Sequence, residues 1–380
     1  MMAYLDHAAT TPLLPEVTEV MLASMVSEFG NPSSVHSYGR RAKGIVEDAR
    51  DKVAAAMGAL HSEITFTGGG TEADNLALKG PFDAIAGGHV IVSAIEHRAV
   101  LDTAKWLERQ GATVAVVSVG EGGIADPRDV AAAVTSSTVV VSVMAVNNEI
   151  GTIQPIADIA AAVKAVNPAT LVHTDAVQAL GNLPVDVNLW GVDLASFAAH
   201  KLGGPKGVGA LFVRSGVRLT PLIHGGGHER GLRSGTSNVA GIAGFGMAAE
   251  IAAKEVNAKG ERLMDLRGQL LDGIRRAVPG VGVNGDLTNR IPGNLNVSVP
   301  GAAGETLLML LDQAGIACSS GSACASGAID PSHVLLAIGT DRVMAAGSLR
   351  LSMGRSTTED DISSVLEIFP EIVERARRAA

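Results

Sequence analysis

Lys201 lies in the run Ser196-Phe197-Ala198-Ala199-His200-Lys201-Leu202-Gly203-Gly204, between two apolar stretches that read as strands. A lysine presented from a strand end into a partly dry site loses some of its charged form, because burial penalises the ammonium. The neutral amine is then a nucleophile able to hold a carbonyl compound as a Schiff base. A solvated lysine at a strand edge is the other reading. What else the fold brings to this amine decides between them.

Several segments carry suitable companions. Gly68-Gly69-Gly70-Thr71-Glu72-Ala73-Asp74-Asn75 follows an apolar strand and opens a helix. Backbone N–H groups can converge on an anion there, with Thr71 adding a hydroxyl. The run is not a Walker loop, which ends in Lys-Ser or Lys-Thr, nor the G-x-G-x-x-G of dinucleotide folds. A glycine turn before a capped helix fits it equally well. Asp175 ends the apolar run 171–174, so it either caps a following helix or faces the crevice where open parallel sheets bind ligands. In the crevice, an ionised carboxylate keeps a pyridine nitrogen protonated.

His97 begins a helix after a strand. Its imidazole can stack on a planar ring and move protons near neutral pH, or sit at the surface. Asn148 closes a long apolar run, as a ligand for an oxygen or as a turn residue. Arg350, on a short strand, can grip a carboxylate through two parallel hydrogen bonds or form a structural ion pair. The glycine- and arginine-rich loop 224–236 can bind an anion across a subunit boundary or be a solvated turn.

Both cysteines, Cys318 and Cys324, bracket the small-residue loop Ser319-Ser320-Gly321-Ser322-Ala323. Such a loop moves easily and covers little, which suits an attacking thiolate on an arm. A redox disulfide is open too, although the spacing is not Cys-x-x-Cys. Four zinc ligands are not at hand, since no second cysteine pair or nearby histidine pair occurs, so no metal is expected.

The elements that must position these groups follow from periodicity. Short strands at 64–67, 90–93, 114–117, 139–146, 171–174, 194–197 and 208–213 alternate with helical patterns at 73–79, 99–110, 127–134, 156–166 and around Val177. Alternation of this kind implies right-handed crossovers and an α/β fold, a mostly parallel seven-stranded sheet covered by helices. A helix over 238–259 leads out of it. Beyond lie a second long helix, a strand near 295–298, a helix near 305–314, a strand at 348–352 and a last helix from Thr358, a smaller C-terminal α+β domain. The expected division is an N-terminal segment 1–14 packed near the small domain, a large domain 15–259 and a small domain 260–380 carrying the cysteine loop.

Composition agrees with two domains. The chain has 380 residues and is 47% hydrophobic but only 3% aromatic, which suits Ala-, Val- and Gly-rich helices packed on a sheet. A net charge of −9 with no basic stripe argues against nucleic acid. No apolar run is long enough to span a bilayer and the start Met1-Met2-Ala3-Tyr4 lacks a signal-peptide pattern, so a cytoplasmic protein is expected.

Taken together, an amine, a strand-end acid, a ring-stacking histidine, an anion loop and a mobile thiol are the parts of a pyridoxal-phosphate site that handles sulfur. At these residues the chain closely resembles the cysteine desulfurases of the NifS/IscS type, in the class V aminotransferase group of fold-type I enzymes. The resemblance runs nearly end to end, through residues 4–12, 29–36, 67–76, 96–103, 146–151, 173–178, 196–209, 224–236 and 319–324.

The resemblance implies pyridoxal 5'-phosphate held by Lys201 as a Schiff base, with His97 stacked on the ring. Asp175 would pair with the pyridine nitrogen and Gln178 with the phenolic oxygen. Gly70, Thr71 and His200 would hold the phosphate, with Thr236 reaching in from the partner of a homodimer. Asn148 and Arg350 would bind the substrate carboxylate, Lys201 and His97 would carry protons, and Cys324 would be the nucleophile. The implied reaction converts L-cysteine to L-alanine and passes sulfur, as a persulfide, to an acceptor protein such as an iron–sulfur scaffold or a thiolation relay. Cys318 would be a bystander. Many relatives have serine three residues before the lysine, where this chain has Ala198, so one phosphate contact is lost. A selenocysteine lyase or another class V enzyme is the rival within the group, and a non-enzymatic sulfur carrier the rival outside it.

Overall fold

The computed structural model describes residues 3–85, 87–320 and 331–379. Its centre is a seven-stranded sheet in the order Ile64–Thr67, Gly209–Val213, Leu194–Ala198, Leu171–Asp175, Thr138–Ser142, His89–Ser93, Thr113–Val117. Gly209–Val213 runs antiparallel to both neighbours, and the other pairings are parallel. Five of the strands are buried along their whole length, Leu171–Asp175 is buried except at half-buried Leu171, and the edge strand Thr113–Val117 is partly open. Burial on both faces is why most of them read as largely apolar runs.

Side chains of alternate parity build a core on each face. Phe66, Ile91, Val141, Phe197 and Phe212 join Val46, Val53 and Phe245 on one side. Val90, Val92, Val140, Leu194 and Leu211 join Leu76, Phe82, Val100 and Leu107 on the other. A third core gathers Leu5, Leu263, Leu270, Ile274, Val297, Leu351 and Phe369 around the three-stranded sheet of Gly282–Val283, Asn294–Ser298 and Ser348–Ser352.

Two elements depart from the sequence expectation. The helix Val239–Ala277 runs unbroken for 39 residues, about 58 Å at 1.5 Å per residue, where two successive helices meeting near residue 260 are expected. Gly260 does not end it, because its backbone stays helical and buried where the helix passes Pro292. No helix forms around Val177. That stretch is a chain of tight turns as far as Asn182, because Gly181 adopts φ +80° and Pro184 follows. Asp175 is therefore not a helix cap.

The N-terminal strand Ala3–Tyr4 pairs in parallel with Ile316–Ala317, and Leu5 is fully buried in the third core. The following residues cross toward the carboxyl ends of the central strands. There Thr11 donates its backbone N–H to the His200 carbonyl at 3.0 Å.

Candidate active site

Five of the residues singled out by chemistry lie at one end of the central sheet. Gly70 follows Ile64–Thr67, His97 follows His89–Ser93, Asn148 follows Thr138–Ser142, Asp175 ends its strand, and Lys201 follows Leu194–Ala198. These strands point the same way, so their carboxyl ends share one crevice, where open α/β sheets place ligands.

Lys201 closes a single 3-10 turn, Ala199–Lys201. Its Nζ donates to the carbonyls of Ala8 and Ala9, each at 2.7 Å. Gln178 Nε2 donates to the same Ala8 carbonyl at 2.8 Å. Lys201 and Gln178 line a cleft of about 350 Å³ together with His7, Leu202 and Lys259. His200 is fixed through Nδ1 to Thr10 Oγ1 at 3.1 Å. Burial, helped by the charges of Lys201 and Lys206, lowers its pKa to about 4, so it is a neutral hydrogen-bonding ring.

Asp175 is buried and accepts the Val177 N–H at 2.9 Å. Burial raises its carboxyl above the usual carboxylate range, although His97, that N–H and Lys201 pull it the other way. His97 caps the helix Arg98–Arg109 by accepting the Ala99 N–H on Nδ1 at 3.1 Å. Capping and a ligand role are compatible here, because the ring lies with Asp175 and Asp74 in a cluster whose side-chain donor atoms are within 4.8 Å of one another.

Gly70 opens the helix Gly70–Ala84 against this cluster. A Cβ on it would lie 2.7 Å from Val177 Cγ2 and 3.6 Å from Ala198 Cβ, so only glycine lets the helix start approach both strand ends this closely. Thr71 is exposed and shares an open groove of about 450 Å³ with His97, Lys79 and Trp106. Thr236 lies apart from them, exposed in a small pocket beside Thr67 and Gly68.

Arg350 is 2% exposed and donates Nη1 to the Asn148 carbonyl at 3.0 Å and Nη2 to Asp6 Oδ1 at 2.8 Å. Its Nε has no partner among the described residues. Next to Asn148, the buried Glu149 accepts a hydrogen bond from Ser332. Cys318 is half-buried, and burial pushes its thiol up to about 12. Cys324 lies outside the described residues.

Sequence reasoning assigned nothing to two buried acids at this site, Asp74 and Glu96. Glu96 accepts from Ser93 Oγ at 2.5 Å and the Met144 N–H at 2.8 Å, yet burial still raises it to about 8. Asp74 falls among the buried positions Ala73, Leu76 and Ala77 of its helix. A carboxylate in that apolar stripe was the available signal.

An amine, an acid at a strand end, a histidine beside it and a glycine cradle that a Cβ would fill are the donor set that a phosphorylated pyridine aldehyde needs. The aminotransferase class-V family model matches residues 3–365. The chain belongs to that family. A Clostridium botulinum protein named cysteine desulfurase IscS is 49% identical over 378 residues, covering 98% of this chain and 95% of its own length. A solved structure described as a NifS-like protein superposes with a TM-score of 0.93 at 40% identity, covering 99% of this chain and 100% of that one. A second, described as SspA in complex with cysteine, gives a TM-score of 0.82 at 35% identity, covering 92% of this chain and 98% of the other. The helix-flanked, mostly parallel sheet is thus that of the NifS-like, fold-type I members of the family.

Proposed function

We propose that the chain is a pyridoxal-phosphate-dependent cysteine desulfurase, converting L-cysteine to L-alanine and carrying the sulfur as a persulfide on Cys324 to an acceptor protein. The observation that carries this reading is the convergence on Asp175, whose carboxylate is influenced by both His97 and Lys201. When bound, the cofactor supplies an electron sink for negative charge at the substrate α-carbon.

The chain's own groups do the rest. Lys201 would tether the cofactor, and its amine with His97 would move the α-proton. Asp175 as an anion would hold the ring nitrogen, and Gln178 the phenolic oxygen. Gly70, Thr71 and His200 would hold the phosphate. Asn148 and the Arg350 fork hold the substrate carboxylate, which fixes the sulfur's approach. The Cys324 thiolate attacks the substrate sulfur; an S–S bond forms as the carbon–sulfur bond breaks, and the carbon left behind is protonated to alanine.

The reading takes the chain as a homodimer, with Thr236 of a second copy entering the open groove beside Thr71 and His97, since Thr236 of the same chain lies in another pocket. It keeps the division into 15–259 and 260–380, with the cysteine loop on the latter, and separate apolar cores support this. No described helix is long and apolar enough to cross a membrane, and the reading takes the enzyme as cytoplasmic. The acceptor is an iron–sulfur scaffold or a thiolation relay.

Purified protein loaded with pyridoxal phosphate should show a visible absorption band that Lys201→Ala abolishes, and L-cysteine should perturb that band. A band surviving in Lys201→Ala would remove the lysine from its assigned place.

A further inference from the structure

Asp74 and Asp175 come from different elements, a helix and a strand end, and meet in the interior at 1% and 5% exposure. Their nearest carboxylate oxygens, with His97, fall within 4.8 Å of one another. Two carboxylates this close in a dry site do not both ionise; one keeps a proton.

The surroundings are unequal. Asp175 accepts the Val177 N–H and faces His97 and Lys201. Asp74 Oδ1 has no hydrogen-bond partner among the described residues, and Ser196 is the one side chain that bonds this carboxyl. His173 Nε2 is 3.7 Å away, beyond hydrogen-bond range. That imidazole is already engaged by the Ser142 and Ser196 hydroxyls at 2.8 and 3.0 Å, and burial keeps it neutral. Glu96, the third buried acid nearby, offers no compensating positive charge and repels Asp74 once it is itself ionised. Ser196 is the one favourable contact for negative charge at Asp74, whereas Asp175 has three, from the Val177 N–H, His97 and Lys201.

We infer that Asp74 is a positioning residue for Asp175: it keeps the single proton of a buried acid pair and so leaves Asp175 as the anion for the cofactor's ring nitrogen. The inference rests on the cofactor reading for its purpose but not for its test. Nothing is consumed and no electron moves, because the proton stays on Asp74. The role asks for an uncharged polar side chain at position 74, which asparagine also provides.

Infrared difference spectra of the cofactor-free protein near neutral pH test this directly. Wild type minus Asp74→Asn should show the carbonyl stretch of a protonated carboxylic acid, and wild type minus Asp175→Asn should show carboxylate bands. The reverse assignment, or carboxylate bands from both, overturns the inference whether or not the protein binds pyridoxal phosphate. In a cofactor titration, Asp74→Asn should keep wild-type affinity for pyridoxal phosphate and leave the pH dependence of the bound cofactor's visible band unmoved. An Asn variant that binds about tenfold more weakly, or one that shifts that pH dependence by a full unit, would mean that Asp74 is ionised and the inference is wrong. Absence of any cofactor binding, with the infrared assignment intact, would instead sink the cofactor reading alone.

Discussion

Arg350 Nη2 sits 2.8 Å from Asp6 Oδ1, tying the strand Ser348–Ser352 to the N-terminal segment that also supplies carbonyls to Lys201 and Gln178. The same guanidinium reaches the Asn148 carbonyl, so three distant stretches meet on one planar fork. Lysine, with a single ammonium, cannot hold both partners and a substrate carboxylate. Arg350→Lys is expected to raise KM for L-cysteine by about tenfold or more with a smaller effect on kcat, the signature of lost substrate binding. Steady-state alanine formation checks it; an unchanged KM would free Arg350 of that role.

Gly70→Ala tests the cradle. The added methyl would meet Val177 Cγ2 at 2.7 Å, so the helix start or the turn after Asp175 must move. Overpacking of this kind costs about 1–3 kcal/mol, and a displaced helix start should weaken cofactor binding as well. Denaturant unfolding and cofactor titration should both report a loss.

Glu96 gives a signed pH prediction. Its folded pKa of about 8 is above its ordinary 4.5, so the folded state holds a proton that the unfolded state releases. The stability from this group is full below pH 4.5, declines as pH rises and is gone above about pH 8, with a slope of about 1.4 kcal/mol per pH unit in between. Glu96→Gln removes that slope. Unfolding free energies of the variant and wild type should therefore diverge between those limits, the variant gaining as pH rises. Parallel profiles would show that Glu96 is ionised when folded.

Cys318 belongs to the third core's margin, and its thiol is held far from ionisation near neutral pH. Cys318→Ala should keep sulfur transfer within about twofold, as expected for a residue outside the chemistry. In native wild type, a thiol alkylating reagent should spare position 318. A large loss of turnover on this substitution would contradict the bystander role.

Much of this was legible in the sequence. All seven central strands form where apolar runs place them, although the expected strand 139–146 ends at Ser142; burial on both faces makes most of them largely apolar. Lys201, Asp175 and His97 were visible because each follows such a run with a chemically loaded residue. Contacts made by backbone were not: the Ala8 and Ala9 carbonyls that anchor Lys201 carry no side-chain signature. The stretch around Val177 looked helical because its residues are good helix formers, but the geometry of Gly181 and Pro184 prevailed over propensity. Asp74 hid inside a helix stripe, where one acid among apolar residues reads as noise until the strand-end acid opposite it is known.

The central claim concerns the path of sulfur. In a single turnover with sulfur-labelled L-cysteine, wild-type holoenzyme should release alanine and retain label on the peptide containing Cys324, while Cys324→Ala should retain none. Label on Cys318, or equal retention by Cys324→Ala, would contradict the account.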